Sequence, residues 1–207
     1  MINDIDDAIT YAKDNFNVDT NKIYVVGVSG GAYTGLMTFM KTKNKIHKLS
    51  IWVPIVDLEA WYHESEIRNN GYSKDILKCT GSESVLNNTE CRKRSPLFQV
   101  TPVLKFDYSK LDIYAGIYDG IQGSVPITHS INMYNKILSD IGICDSSSYV
   151  TDKEKLYLLE KRKSLKKYGK IGKRNIFLKK ESKNISLTVF EGNHEILPEY
   201  AFESMIN

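Results

Sequence analysis

The chain has 207 residues, 42% of them hydrophobic and 26% charged, which is enough apolar content for one substantial core and too much for a disordered chain. The net charge is +3 and no apolar run approaches the ~18 to 20 residues of a bilayer span, so a membrane partner is not expected. The opening MINDIDDAIT is acidic, unlike the basic start of a signal peptide, and the chain reads as soluble with its compartment open.

In chain order, Ile5, Ala8, Ile9, Ala12 and Phe16 share one helical stripe. Lys22 to Val26 is a short β-branched run bounded by turn residues, the pattern of a central parallel strand buried on both faces. Gly27 to Gly31 forms a sharp turn, Ala32 to Lys41 returns to helical spacing, and Leu49 to Val53 is a second apolar run that ends at Pro54. Residues 57–100 are polar and helix-prone, interrupted at Gly71, Gly81 and Pro96, and read as a helical excursion over the sheet edge. Leu111 to Ala115 is the third strand and Pro126 to Leu138 the helix after it. Residues 142–173 form a charged insertion holding one helix, Asp152 to Lys163. Asn175 to Lys179 and Ile185 to Phe190 flank a turn, and Glu195 to Met205 closes the chain as a helix. Strands alternating with helices imply an α/β class fold, a mostly parallel sheet with crossover helices, in a single domain.

Lysines gather between Lys153 and Lys183 and lift the pI to about 8.6. No zinc-finger spacing or aromatic RNA-binding motif accompanies them, so they read as a solvated face without a nucleic-acid partner; binding of acidic polymers is the alternative. Cys79, Cys91 and Cys144 are an odd set with no C-x-x-C pair, which argues against a metal site or a disulfide framework, although Cys79 and Cys91 could bridge a loop in an exported protein. No metal or organic cofactor is implied.

Gly27-Val28-Ser29-Gly30-Gly31 matches G-x-S-x-G directly after a buried-strand run and before a helix that opens with small residues, the context of a nucleophile elbow. The serine of such a turn is strained, and a side chain at Gly27 or Gly31 is expected to collide with its neighbours. The turn lifts the Ser29 hydroxyl above the carboxyl ends of the strands and offers the Gly30 N–H, at a helix start, to an oxyanion. A serine hydroxyl needs a base to take its proton. His47 enters the second strand, His63 lies in the helical excursion and His129 inside a helix, whereas His194 follows the last strand on a turn and alone can swing over Ser29. The acid that orients the histidine must follow another strand, and Asp119 does so; Asp57 is the alternative, while Asp112 begins a strand and points away. Trp61, Tyr62 and Tyr118 could line a substrate pocket or serve as packing.

These residues resemble the C-terminal catalytic portion of the prolyl oligopeptidase-like group of α/β-hydrolases, which includes peptidases and acetyl-ester hydrolases. The matching segments are VDTNKIYVVGVSGGAYTG from Val18, Arg94-Ser-Pro96, AGIYDGIQGSVPITHS from Ala115 and LTVFEGNHE from Leu187. The resemblance implies an α/β-hydrolase fold with Ser29, Asp119 and His194 as catalytic triad, Gly30 as oxyanion donor, and a small-molecule ester, acylated sugar or peptide as substrate. Asn193 stands where the group often has glycine, and the spacer Gly120 to Ser124 is longer than in typical peptidases, leaving room for an esterase. The resemblance also implies several strands before the elbow strand and a second oxyanion donor that this sequence lacks. The expectation is therefore a partial domain whose partner is a missing N-terminal portion, or else a non-catalytic remnant acting as a binding module.

Overall fold

A computed structural model describes residues 2–206. Helix α1 (Ile2–Asn15) leads to strand β1 (Tyr24–Val28), helix α2 (Gly30–Lys41) and strand β2 (Lys48–Trp52). Three helices follow, α3 (Leu58–Ile67), α4 (Tyr72–Cys79) and α5 (Asn88–Arg94), and then strand β3 (Lys110–Gly116) and helix α6 (Ile127–Asp140). Helix α7 (Asp152–Lys161), strands β4 (Lys170–Ile171), β5 (Arg174–Ser182) and β6 (Ile185–Phe190), and helix α8 (Pro198–Ile206) complete the described chain.

The strands form one sheet in the order β1-β2-β3-β6-β5-β4. β1, β2, β3 and β6 run parallel, while β5 pairs antiparallel with β6 and β4 antiparallel with β5. Alternation divides the two faces. Leu49 and Ile51, Leu111, Ile113 and Ala115, and Ile185, Leu187 and Val189 face one large apolar core with Leu36 and Phe39 of α2 and Ile131 and Tyr134 of α6. Trp52, Tyr114 and Phe190 face the other side and pack with Ala201 of α8; the Trp52 and Tyr114 rings stack at 4.0 Å. Toward the strand starts on that second face, Asp112 pairs with Lys48 at 3.1 Å and accepts from Ser186 Oγ at 2.6 Å, all three largely buried. Asp112 thus lies on the structural side, as its position in the strand implied.

Two expectations need correction, the cover of β1 and the start of the last helix. β1 is the margin of the sheet and not a central strand: among the described residues it pairs only with β2, and Tyr24, Val26 and Val28 are exposed. An apolar run states that a strand wants cover, not that it has neighbours on both sides. The α1 stripe is only partly covered; Ile9 is buried, but Phe16 is 61% exposed, and Ile5, Ala8 and Ala12 border an open cavity of about 790 Å³ along β1. The last helix starts at Pro198 rather than Glu195, with proline in the first helical position, where its missing N–H costs nothing.

Candidate active site

The site is built where three parallel strands end. At the end of β1, Ser29 adopts φ 53° and ψ −118°, a left-handed conformation that a serine holds only when its surroundings impose it. Its N–H donates to Trp52 O at 2.9 Å, and its carbonyl accepts from Tyr33 N in the first turn of α2. The chain turns sharply because Gly27 leaves room for it: a Cβ there would stand 2.5 Å from Gly31 O. Gly31 itself faces open space, so the expected collision applies to Gly27 alone. Gly30 opens α2, where the first backbone N–H groups have no intrahelical partner.

The ends of β3 and β6 are fastened together in the same way. Ile117 N donates to Phe190 O at 2.8 Å and Tyr118 N to Gly192 O at 3.0 Å. Gly116 permits this approach, since a Cβ on it would lie 2.0 Å from Asn193 O. Asn193 is exposed, and its backbone N–H donates to Glu195 Oε1 at 2.9 Å, which shapes the turn that carries His194.

The three side chains meet in one line. His194 Nε2 lies 2.7 Å from Ser29 Oγ, and His194 Nδ1 lies 2.7 Å from Asp119 Oδ2. Asp119 is 2% exposed, and its other oxygen, Oδ1, accepts from Gly120 N at 2.9 Å and Val125 N at 3.0 Å. A carboxylate so placed is the acceptor for the Nδ1 proton of a neutral imidazole, which leaves the Nε2 lone pair directed at the serine hydroxyl.

The other candidates lie elsewhere. Asp57 caps α3, its Oδ1 accepting from Glu59 N and Ala60 N, so the alternative acid is occupied in starting a helix. His47 packs edge-on against Tyr24, and exposed His63 sits 3.5 Å from Glu66. His129 is buried, accepts at Nδ1 from Val56 N at 3.1 Å, and burial lowers its pKa to about 4. Trp61 is buried among the residues of α3 and α4, Tyr62 donates to Glu66, and Tyr118 packs against the main core. The three cysteines are free thiols; burial pushes Cys91 up to about 11. Among the described residues no helix is long and apolar enough to cross a membrane.

With this geometry established, similarity to known proteins becomes informative. The model of the prolyl oligopeptidase family matches residues 1–140, well over half the chain. The chain belongs to the prolyl oligopeptidase family. The matched segment includes Ser29 and Asp119 and stops before His194, so the place of the histidine rests on geometry. Among solved structures, acylaminoacyl peptidase of Pyrococcus horikoshii is 19% identical at a TM-score of 0.52, over 68% of this chain and 21% of its own. A puromycin-hydrolyzing peptidase of Mycobacterium tuberculosis is 18% identical at 0.53, over 67% and 19%. Prolyl oligopeptidase B of Galerina marginata, bound to a 35mer hydrolysis and macrocyclization substrate, is 14% identical at 0.51, over 65% and 17%. At such identities the likeness establishes the fold, which is the α/β-hydrolase fold. The chain spans about a fifth of the length of these solved chains. No curated protein matches it.

The residues that seat the site carry little signal of their own in the sequence. Gly116, Gly123 and Gly192 each have backbone or side-chain atoms within 2.7 Å of where a Cβ would be, and all three lie beside the acid or the histidine. Their signal was available in principle, as glycines within a few residues of Asp119 and His194, but which glycine is crowded depends on contacts between segments distant in sequence.

Proposed function

We propose that the chain is the catalytic part of a serine hydrolase that cleaves an ester or amide bond through an acyl-enzyme. The observation that carries this reading is the uninterrupted series Ser29 Oγ, His194, Asp119, with both links at 2.7 Å, at the carboxyl ends of β1, β6 and β3. In this reading His194 Nε2 takes the Ser29 proton as Oγ attacks the carbonyl carbon. The Gly30 N–H, at the start of α2, holds the oxygen on which negative charge develops. Asp119 keeps the imidazole in the Nδ1–H tautomer and stabilises the imidazolium. That imidazolium then protonates the leaving amine or alkoxide as the tetrahedral adduct collapses. Water, activated by the same nitrogen, returns the serine by the reverse sequence.

Family membership supports a peptidase-like reaction, and the named neighbours act on aminoacyl or peptide amides, so a peptide is the preferred substrate class, with acyl esters and acylated sugars as alternatives. The reading includes a further portion of the same domain seated against β1, which would supply the second oxyanion donor; the unpaired side of that strand, with Tyr24, Val26 and Val28 exposed, supports it. A fluorophosphonate probe tests the core of the proposal. Ser29 is expected to take the label and Ser29→Ala to take none; an adduct on another residue, or equal labelling of the variant, refutes it. Comparing burst amplitudes with p-nitrophenyl acetate and an aminoacyl anilide then separates ester from amide cleavage.

A further inference from the structure

A serine-histidine-acid relay works only as well as its carboxylate is held, and residues 120–125 hold Asp119. On their inner side, Gly120 N and Val125 N donate to Asp119 Oδ1. On their outer side, the next two carbonyls are gripped by the helical segment: Arg68 Nη1 donates to Gly123 O at 2.9 Å and Trp61 Nε1 donates to Ser124 O at 3.0 Å. The Ser124 carbonyl and the Val125 N–H share one peptide plane and point in opposite directions. Indole, peptide, carboxylate, imidazole and hydroxyl therefore form an unbroken series from Trp61 to Ser29. Bonds in such a chain polarise one another.

The grip is tight on both sides. At Gly123 the hypothetical Cβ would lie 2.3 Å from Asp119 Oδ1 and 2.8 Å from His194 Cβ, so the segment has no slack toward the site. The gripping side chains are themselves fixed. Trp61 is buried with its ring 4.8 Å from that of Tyr72, and Arg68, which ends α3, pairs with Glu64 at 2.9 Å.

We propose that Trp61 and Arg68 are positioning residues for Asp119, so that α3 controls the efficiency of the relay while touching none of the reacting atoms; the inference rests on the hydrolase reading above. The test uses the whole chain and four variants, Trp61→Phe, Arg68→Met, Arg68→Lys and Asp119→Asn. Fluorophosphonate labelling of Ser29 is resolved into its maximal rate and its half-saturating probe concentration. Displacing the acid is expected to slow the maximal rate about tenfold in Trp61→Phe and Arg68→Met with the half-saturating concentration unchanged. Arg68→Lys, which keeps a donor for Gly123 O, is expected to recover most of the loss. In parallel, proton NMR follows the strongly downfield Nδ1–H of His194, expected to broaden in Trp61→Phe and Arg68→Met and to vanish in Asp119→Asn. Labelling within twofold of wild type in both Trp61→Phe and Arg68→Met, with unchanged melting, overturns the proposal. If Trp61→Phe does not fold, the Arg68 pair decides. If the wild type takes no label, the hydrolase reading fails instead, and the His194 resonance alone decides whether α3 holds the acid: unaltered in the Arg68→Met protein, it refutes the grip.

Discussion

Replacing His129 by asparagine should flatten the acid limb of the stability curve. The buried imidazole accepts the Val56 N–H at Nδ1, and burial, aided by the nearby Arg68 charge, lowers its pKa from 6.5 to about 4. The unfolded chain takes up a proton near pH 6.5 and the native chain only near pH 4, so between those values the unfolded state binds more protons and acidification favours it. The contribution is complete above pH 6.5 and is lost as the pH falls toward 4. At ~1.4 kcal/mol per pH unit, two and a half units amount to about 3 kcal/mol, a large share of the ~5 to 15 kcal/mol that stabilises a domain. Asparagine places an amide oxygen near the Nδ1 position, keeping an acceptor for Val56 N without a titrating group. Urea unfolding at pH 7, 6, 5 and 4 is expected to show the wild type losing about 3 kcal/mol more than His129→Asn across that range. Carboxylates held below their usual range, such as Asp140 and Glu154, titrate in both proteins and cancel. Parallel curves, within ~0.5 kcal/mol at every pH, would refute the reasoning.

Asp119→Asn should preserve the fold and slow Ser29 phosphonylation by about 10⁴, because the amide can leave the imidazole in the wrong tautomer; stopped-flow or gel-based labelling measures it. Gly27→Ala should destabilise by about 1 to 3 kcal/mol, since its Cβ would enter the Gly31 carbonyl at 2.5 Å, whereas Gly31→Ala, in open space within α2, should be neutral or gain up to ~1 kcal/mol of helix propensity. Paired thermal melts distinguish the two. Gly123→Ala should cost at least tenfold in labelling rate while circular dichroism stays native, since its methyl group would enter the space of Asp119 Oδ1 and His194 Cβ.

What the sequence disclosed and what it withheld divide along physical lines. The turn at Ser29 was legible because its requirements are local, a glycine two residues before the serine, a strand ahead of it and a helix start after it. Strands β2, β3 and β6 were legible because strands covered on both faces are mostly apolar, here interrupted only by single polar positions such as Ser50, Asp112 and Thr188. That Asp119 and His194 lie in reach of Ser29 was anticipated from strand-end placement and chain order. The marginal place of β1 was not legible in its own residues, because Tyr24 to Val28 is composed like a covered strand; only the strands that the family resemblance implies before it, and that this sequence lacks, pointed to an open edge. Nor was the hold of Trp61 and Arg68 on the acid segment, which joins residues 63 and 55 positions apart. The neutral, buried His129 looked like an ordinary helical residue because its role depends on Val56, 73 positions away.

Left uncovered, the outer side of β1 would also influence how the chain behaves in a concentrated solution. Among the described residues the outer side of β1 has no partner strand, and unless the further portion of the domain seats there, its amides and carbonyls form a template on which copies can stack, against which a net charge of +3 offers little repulsion. One lysine in place of Val26, which is 46% exposed, would guard that margin much as charged residues guard the outer strands of many natural sheets.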